Sequence, residues 1–210
     1  FMPGGNPVIM FPGLYINLVL GNEKGEGGSQ GSVVNHVGFI VDNVQKRAAE
    51  WKAAGVKVLP GGNGRLDQAY VETPDGVRME ILEDKTQGMP IRNEHIHLSL
   101  TEAEIPKAQA WYAKTFGGKA SARNGGAVVD IPGVQIRFAK ADAKQPTTRG
   151  RILDHIGFDV KDLQAFIKML EANGIKLDRP YTKNEKTGEA LAFITDPWGV
   201  NIELNERRPR

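Results

Sequence analysis

Short runs in which apolar and polar residues alternate make up most of the chain, and a few stretches with helical spacing interrupt them. One such stretch carries Val44, Ala48 and Trp51 on one side. It follows Asn43, a residue type that caps helices. An alternating run precedes this predicted helix, and further short runs follow it. The pattern therefore predicts a βαβββ unit between residues 37 and 82.

The βαβββ unit is repeated along the chain. Residues 7–83 are matched by residues 127–206 at an offset of about 119 to 120 residues. A third, divergent copy opens at His97, with a predicted helix from Pro106 to Gly118, and no counterpart to its opening precedes Phe1. We therefore predict an α+β fold of nearly four tandem βαβββ modules, of which the first lacks its opening strand and helix.

One polar segment divides the predicted modules into two pairs. Residues 84–92 are mostly polar and contain Gly88 and Pro90, a composition typical of linkers. The sequence therefore predicts two halves, residues 1–83 and residues 93–206, with two modules in each.

The composition fits a folded protein that is rich in turns. The 210 residues are 40% hydrophobic, which suffices for a packed core. The 25 glycines and 12 prolines favour short strands and tight turns. The 27 basic and 25 acidic residues are scattered and give a net charge of +2, so we expect no nucleic-acid partner. The apolar runs are far shorter than a membrane span, so we expect no membrane partner.

The cysteine count and the first residue bear on the compartment. With no cysteine, the chain forms no disulfide and has no thiolate chemistry. Because it starts at Phe1 rather than at a methionine, we expect a processed or longer native chain. The cytoplasm is favoured, with the periplasm or secretion as the alternative. If Phe1 is a true terminus, the unpaired sheet edge of the first module would favour association, and a homodimer is one option.

Several motifs recur at matching places in the modules. His36, His97 and His155 each open a module strand, and Pro74-Asp75-Gly76 and Pro197-Trp198-Gly199 each precede a strand that carries a glutamate. These features resemble the vicinal oxygen chelate superfamily, which includes glyoxalase I, bleomycin-resistance proteins, fosfomycin-resistance thiol transferases and extradiol dioxygenases. The resemblance covers nearly the whole chain and implies paired modules that curl into half-open β-barrels around a metal site. The fold hosts many chemistries, so the resemblance does not select a reaction.

Two sets of metal ligands follow from the resemblance, depending on which modules pair. If the third and fourth modules pair, the set is His97, His155 and Glu203. If the second and third modules pair, the set is His97, His36 and Glu80. We favour the first set because the polar linker indicates a boundary between two halves.

Either set suits one divalent transition metal. Two neutral imidazoles and one carboxylate leave the ion with residual positive charge and open coordination positions, which can hold two vicinal oxygens of a substrate. Manganese, iron, nickel and zinc all fit this chemistry. His95 lies two residues before His97 and on the same strand face. We interpret it as a structural residue or as a partner of a ligand.

Departures from the subfamilies narrow the reaction. Arg137 occupies the place where glyoxalase I has an additional glutamate, which favours three protein ligands over four. Phe193 stands where extradiol dioxygenases have a tyrosine, which weakens a ring-cleavage interpretation. Tyr70, ten residues before Glu80, keeps a dioxygenase-like feature in the first half.

These residues together predict the broad function. We expect a metal-dependent lyase, dioxygenase or transferase of this superfamily that acts on a small, oxygen-rich organic substrate. The alternative is a metal-free small-molecule-binding protein of the bleomycin-resistance kind, a class that typically lacks the histidine and glutamate ligands. Four residues are candidates for substrate binding, namely Tyr112, Arg123, Arg137 and Trp198.

Overall fold

The computed structural model describes residues 7–19 and 25–207. Over these residues the chain forms fourteen strands, three α-helices and a short 3-10 turn at Gly62–Gly64. The strands are β1 (Val8–Phe11), β2 (Leu14–Asn17), β3 (Val34–Val41), β4 (Lys57–Pro60), β5 (Gln68–Glu72), β6 (Arg78–Glu83), β7 (Ile91–Leu100), β8 (Lys119–Arg123), β9 (Gly126–Ile131), β10 (Val134–Lys140), β11 (Ile156–Asp159), β12 (Arg179–Lys183), β13 (Ala190–Thr195) and β14 (Asn201–Glu206). The helices are α1 (Val44–Ala53), α2 (Ile105–Phe116) and α3 (Leu163–Ala172). The element order confirms the predicted α+β fold of tandem βαβββ units.

Each complete unit forms a block of four strands whose first and last strands are parallel neighbours. The second unit pairs β3 with β6, the third pairs β7 with β10, and the fourth pairs β11 with β14. Within the described residues the first unit contributes the antiparallel hairpin β1–β2. This hairpin agrees with the strands predicted on either side of Pro12 and Gly13, although Leu20, the last residue of the predicted second strand, lies outside the described residues.

The second and third units form a single eight-stranded sheet in the order β4-β5-β6-β3-β7-β10-β9-β8. Antiparallel pairing of β3 with β7 joins them. The predicted linker, residues 84–92, lies between two strands of one sheet, and its last two residues belong to β7. We favoured pairing of the third and fourth units, but this sheet joins the third unit to the second, because β7 hydrogen-bonds to β3 on one edge and to β10 on the other. The fourth unit forms a separate sheet, β11-β14-β13-β12, in which β11 is an edge strand within the described residues.

Local sequence signals set the helix ends. Asn43 and Asp162 accept hydrogen bonds from the backbone N–H groups of Lys46 and Ala165, and so cap α1 and α3. Helix α2 has a proline in its first turn and ends at Gly117, whose φ of 64° lies in the left-handed region. Capping residues therefore mark the N-terminal ends of α1 and α3 and the C-terminal end of α2.

Two hydrophobic cores hold the sheets in place. The smaller lies against the second unit, where Phe11 of β1 packs on Phe39 with ring centroids 5.0 Å apart. The larger contains residues of both the third and fourth units, including Tyr112 and Leu204, which are fully buried. The third and fourth units thus share a core without sharing a sheet. No helix in the described ranges, residues 7–19 and 25–207, is long and apolar enough to cross a membrane.

Candidate metal centre

Four ligand-type side chains meet where β3 and β7 pair at the middle of the large sheet. His36 lies opposite His97 in this pairing and Gly38 lies opposite His95, while Glu80 stands beside Gly38 on β6. Because His95 and His97 are two residues apart on one strand, both project from the same face. One ligand atom from each of His36, Glu80, His95 and His97 lies within 4.8 Å of the others. We call these four residues the seam cluster.

The contacts inside the seam cluster are short. The Nε2 atom of His36 lies 2.9 Å from Nδ1 of His97 and 3.4 Å from Nε2 of His95. The Oε2 atom of Glu80 lies 3.2 Å from Nε2 of His36 and 3.0 Å from Nε2 of His95. His95 is fully buried, and His36 and Glu80 are each 6% exposed. Buried polar groups require partners, so the inward-facing atoms of the cluster depend on one another.

Hydrogen bonds on the outer side fix the orientation of two rings. The Nδ1 atom of His36 lies 2.8 Å from Oδ1 of Asn35, and Nδ1 of His95 lies 2.5 Å from Oε2 of Glu94. Because these oxygens accept, a proton on each Nδ1 satisfies the outer contact, and a neutral ring then presents the lone pair of its Nε2 to the cluster. The amide of Gln68 donates to the other oxygen of Glu80. The outer contacts thus orient both rings with Nε2 directed inward, as supporting residues do around metal ligands.

Burial favours the neutral form of His36 and His97, which lie beside an ionised Glu80. Burial lowers the pKa of His36, and the charges of His95 and Arg78 lower it further against the opposing effect of Glu80. Burial, followed by the charges of His36 and His95, lowers the pKa of His97 to about 3. Burial would raise the pKa of Glu80, but hydrogen bonds with His36 and His95 outweigh it and hold that pKa well below its usual range.

This arrangement fits a divalent transition metal. Neutral imidazole nitrogens and a carboxylate oxygen are ligands that such ions accept. Ligand atoms about 2.1 Å from a tetrahedral ion are separated from each other by about 3.4 Å. Four pairs in the seam cluster are separated by 2.9 to 3.4 Å, and all its ligand atoms lie within 4.8 Å of one another. His36, Glu80, His95 and His97 therefore have the chemistry to hold an ion and spacing close to what it needs.

The fourth unit carries a second His–Glu pair, formed by His155 and Glu203, which we call the edge pair. The Nε2 atom of His155 lies 2.9 Å from Oε2 of Glu203, and its Nδ1 lies 2.8 Å from Oδ1 of Asp154. In the described part of the chain, the edge pair does not belong to any group of three or more potential metal ligands. The structure therefore does not bring His97 together with the edge pair, since His97 faces His36 across the β3–β7 seam. It does bring together the alternative set of His97, His36 and Glu80.

The two arginines among the substrate-binding candidates lie next to the seam cluster. Arg137 is the register partner of His97 on β10 and forms an ion pair with Glu94. Arg123 Nη1 lies 2.7 Å from Oε1 of the same Glu94. Glu94 also contacts His95, so Arg137 and Arg123 are each connected to the seam cluster through this one residue.

The two aromatic candidates lie elsewhere, in the core shared by the third and fourth units. Tyr112 is fully buried, and its hydroxyl donates to Oδ2 of Asp196 at 2.7 Å. Trp198 is 7% exposed and meets the ring of Trp111 edge-on, with centroids 6.1 Å apart. In the structure both residues pack in the core, and their role in substrate binding stays a prediction.

A cleft of about 490 Å³ is lined by Glu94, which contacts His95, but by none of the four residues of the seam cluster. Its lining is largely polar and includes Arg92, Asn93, Glu94, Arg123, Asp130 and Gln135. The side chain of Asn93 is buried, and its Oδ1 has no hydrogen-bond partner in the described part of the chain. The cleft thus offers polar groups and two cations, Arg92 and Arg123.

Sequence reasoning did not assign a ligand role to His95. The signal was present, because alternate residues on a strand share a face and His95 precedes His97 by two positions. The missing information was the register of β3 against β7, which places Gly38 opposite His95. That register is a tertiary property and is not encoded in the spacing within one strand.

The sequence of residues 95–204, which is 110 of the 210 residues, matches the family model described as Glyoxalase/Bleomycin resistance protein/Dioxygenase superfamily. This span covers most of the third unit and the fourth unit. It contains His95, His97 and the edge pair, but neither His36 nor Glu80. No curated protein matches the chain in sequence.

Solved structures of glyoxalase I share the fold. Glyoxalase I from Zea mays is 17% identical and aligns over 91% of this chain and 73% of that chain, with a TM-score of 0.62. A glyoxalase I mutant from the same plant is 18% identical and aligns over 81% of this chain and 66% of that chain, with a TM-score of 0.61. A fosfomycin resistance protein from Listeria monocytogenes is 18% identical and aligns over 54% of this chain and 91% of that chain, with a TM-score of 0.45. The chain spans about two thirds of the length of the Zea mays mutant.

Proposed function

The chain belongs to the Glyoxalase/Bleomycin resistance protein/Dioxygenase superfamily, and from that premise we propose that it is a metal-dependent enzyme with its metal site at the β3–β7 seam. His36, Glu80 and His97 would hold one divalent transition metal. The substrate would be a small, oxygen-rich organic molecule. The observation that carries the proposal is the convergence of these buried ligand atoms, with His36 Nε2 2.9 Å from His97 Nδ1 and 3.2 Å from Glu80 Oε2.

The charges around the site favour an anionic substrate. A bound divalent ion would supply a Lewis acid for two neighbouring substrate oxygens. Glu80 contributes the one negative charge of the cluster, and the imidazoles contribute none, so a loaded site keeps net positive charge. Arg137 and Arg123 add cations beside it, although both ion-pair with Glu94.

The chain's own residues would keep the site ready for binding. Asn35 and Glu94 orient two rings so that their Nε2 atoms face inward. Burial of His36 and Glu80 excludes water from the inner side of the cluster. A preset group of ligands needs little rearrangement when it binds an ion or stabilises charge that develops on a substrate.

Metal titration of the stripped protein tests this proposal. The wild-type protein should take up about one equivalent of zinc, nickel or manganese, measured by calorimetry and elemental analysis. His97→Ala and His36→Ala should each weaken binding by ~100-fold or more, since loss of even an outer partner costs about 10- to 100-fold. His155→Ala is the matched control from the repeat and should bind as the wild type does.

Two outcomes would overturn the proposal. If His155→Ala loses the metal while His36→Ala keeps it, the site lies at the edge pair. If the wild-type protein takes up no metal under any of these conditions, the metal-free small-molecule-binding alternative takes its place.

A further inference from the structure

We infer that His95 is a fourth protein ligand of the metal site and that Gly38 is the residue that makes room for its ring. The inference rests on the proposed function, because it concerns the same site. Three histidines and one glutamate would then hold the ion. This differs from the structural or supporting role that the sequence suggested for His95.

His95 lies between two carboxylates. Its Nδ1 lies 2.5 Å from Oε2 of Glu94, and its Nε2 lies 3.0 Å from Oε2 of Glu80 and 3.4 Å from Nε2 of His36. A neutral imidazole donates through one nitrogen only, so when Nδ1 donates to Glu94 the lone pair of Nε2 faces Glu80. Two acceptors that face one another in a buried site are unfavourable unless a cation lies between them. A metal ion at Nε2 would provide that cation.

The outer side of His95 is built to hold this orientation. Glu94 accepts from His95 and is itself held by Arg123 at 2.7 Å and by Arg137. A carboxylate that contacts the far nitrogen orients a metal-binding imidazole and increases its basicity.

The third unit supplies no carboxylate to the cluster. Arg137 stands beside His97 on β10 and pairs with Glu94, so that strand contributes a cation to the region. Among the described residues, the metal-type group contains a single carboxylate, Glu80. The fourth ligand atom therefore comes from β7 itself, through His95.

Gly38 allows the His95 ring to lie against the backbone of β3. A Cβ atom at Gly38 would stand 2.0 Å from Cε1 and 2.1 Å from Nδ1 of His95, a distance that real atoms do not tolerate. The repeat contains a matched position, Gly157, where the nearest atom to an added Cβ is Nδ2 of Asn205 at 3.6 Å. Neither glycine has a positive φ. Space for the ring, rather than backbone conformation, therefore requires glycine at position 38.

Nitrogen NMR of histidine-labelled protein during zinc titration tests the ligand role directly. We expect ring-nitrogen signals of three histidines to shift on zinc binding, and the Nε2 signal that disappears in His95→Ala to be one of them. Zinc affinity should fall in His95→Ala by ~100-fold or more, as in His36→Ala, since loss of an outer partner alone costs about 10- to 100-fold. A histidine with only a structural role would keep an unshifted Nε2 signal.

Gly38→Ala provides the second variant, because it displaces the ring without removing it. We expect its zinc affinity to fall by ~10-fold, as for loss of a supporting contact, while Gly157→Ala binds as the wild type does. Affinity within about twofold of the wild type in Gly38→Ala, or zinc shifts at His36 and His97 alone, would overturn the inference and leave the proposed function standing. Absence of zinc binding by the wild type would instead defeat both.

Discussion

The seam cluster and the edge pair begin from the same sequence pattern and end in different surroundings. In both, a histidine at the start of a unit bonds through Nδ1 to the preceding residue, at 2.8 Å to Asn35 and at 2.8 Å to Asp154. In both, Nε2 faces a glutamate on the parallel strand, at 3.2 Å for His36 and at 2.9 Å for His155. The repeat therefore specifies half of a site in each unit.

Whether each His–Glu pair becomes part of a complete ligand set depends on the strand next to it. Strand β7 covers the first half and adds His95 and His97, whereas β11 has an edge with no partner strand in the described residues. The side chains of His36 and Glu80 are each 8% exposed, while those of His155 and Glu203 are 24% and 14% exposed. A complete ligand set thus requires strand pairing in addition to the motif.

The largest expected difference between the seam cluster and the edge pair is the loss of metal affinity when the carboxylate charge is removed. Glu80→Gln should weaken metal binding by ~100-fold, because it removes the only anionic ligand of the seam cluster. Glu203→Gln should leave metal binding unchanged, because no metal-type group forms around the edge pair in the described residues. Competition against a chromophoric chelator measures both. Equal losses in the two variants would contradict the distinction between the halves.

The pH dependence of stability should have opposite signs at the two histidines in metal-free protein. The pKa of His97 is lowered by burial to about 3 from its ordinary 6.5, so the unfolded chain binds the proton more readily between these values. Stability should therefore rise with pH across that window. At His155 burial lowers the pKa, but hydrogen bonds with Glu203 and Asp154 outweigh burial and raise it above 6.5. Its stabilising effect is complete below 6.5 and is lost as pH rises through the raised pKa.

Urea denaturation of three metal-free proteins across a pH series measures these effects. Compared with the wild type, His97→Gln should lose stability less steeply as the pH falls below about 6.5. The deficit of His155→Gln should be greatest in acid and should shrink as the pH rises. NMR titration gives the direct control, with His155 titrating above its ordinary pKa and His97 below it. The same direction at both histidines would show that their surroundings do not differ as described.

The order of the elements could be predicted from the sequence, because it depends on local information. The helical spacing of Val44, Ala48 and Trp51 marks α1, and the repeat shows that the same unit recurs. The choice of strand partners could not be predicted from these signals. The polar segment at residues 84–92 indicated a boundary, yet short polar segments join strands of one sheet as readily as they join halves.

Prediction of the site was limited for the same reason, because the choice of strand partners was unknown. The histidines and glutamates could be found from their places in the repeat, but two complete sets remained and the pairing of β7 distinguishes them. The family match at residues 95–204 also contains His97 and the edge pair and omits Glu80. Sequence similarity alone therefore points to the third and fourth units, whereas the ligand atoms meet between the second and third.

The smallest expected difference between the seam cluster and the edge pair comes from one hydroxyl group, that of Tyr70. Tyr70 meets the ring of His36 edge-on at 6.0 Å, and Phe193 meets His155 edge-on at 5.5 Å. The hydroxyl of Tyr70 accepts from the amide of Gln68 at 3.3 Å, and the same amide donates to Glu80. Tyr70→Phe should therefore cost about 1 kcal/mol of stability or less, because Gln68 keeps its bond to Glu80.

Metal affinity provides the sharper measurement for this substitution. If the Tyr70 hydroxyl acts only on Gln68, zinc affinity in Tyr70→Phe should change by less than about threefold. Gln68 stays in place and still supports Glu80, and only the loss of such an outer partner would reduce affinity by about 10- to 100-fold. Phe193→Tyr is the matched control and should change neither stability nor zinc binding, because the edge pair lacks the second strand that completes the seam cluster. A tenfold or larger loss in Tyr70→Phe would mean that the hydroxyl acts on the metal ligands directly, and would extend the functional half-site from β3 and β6 to β5.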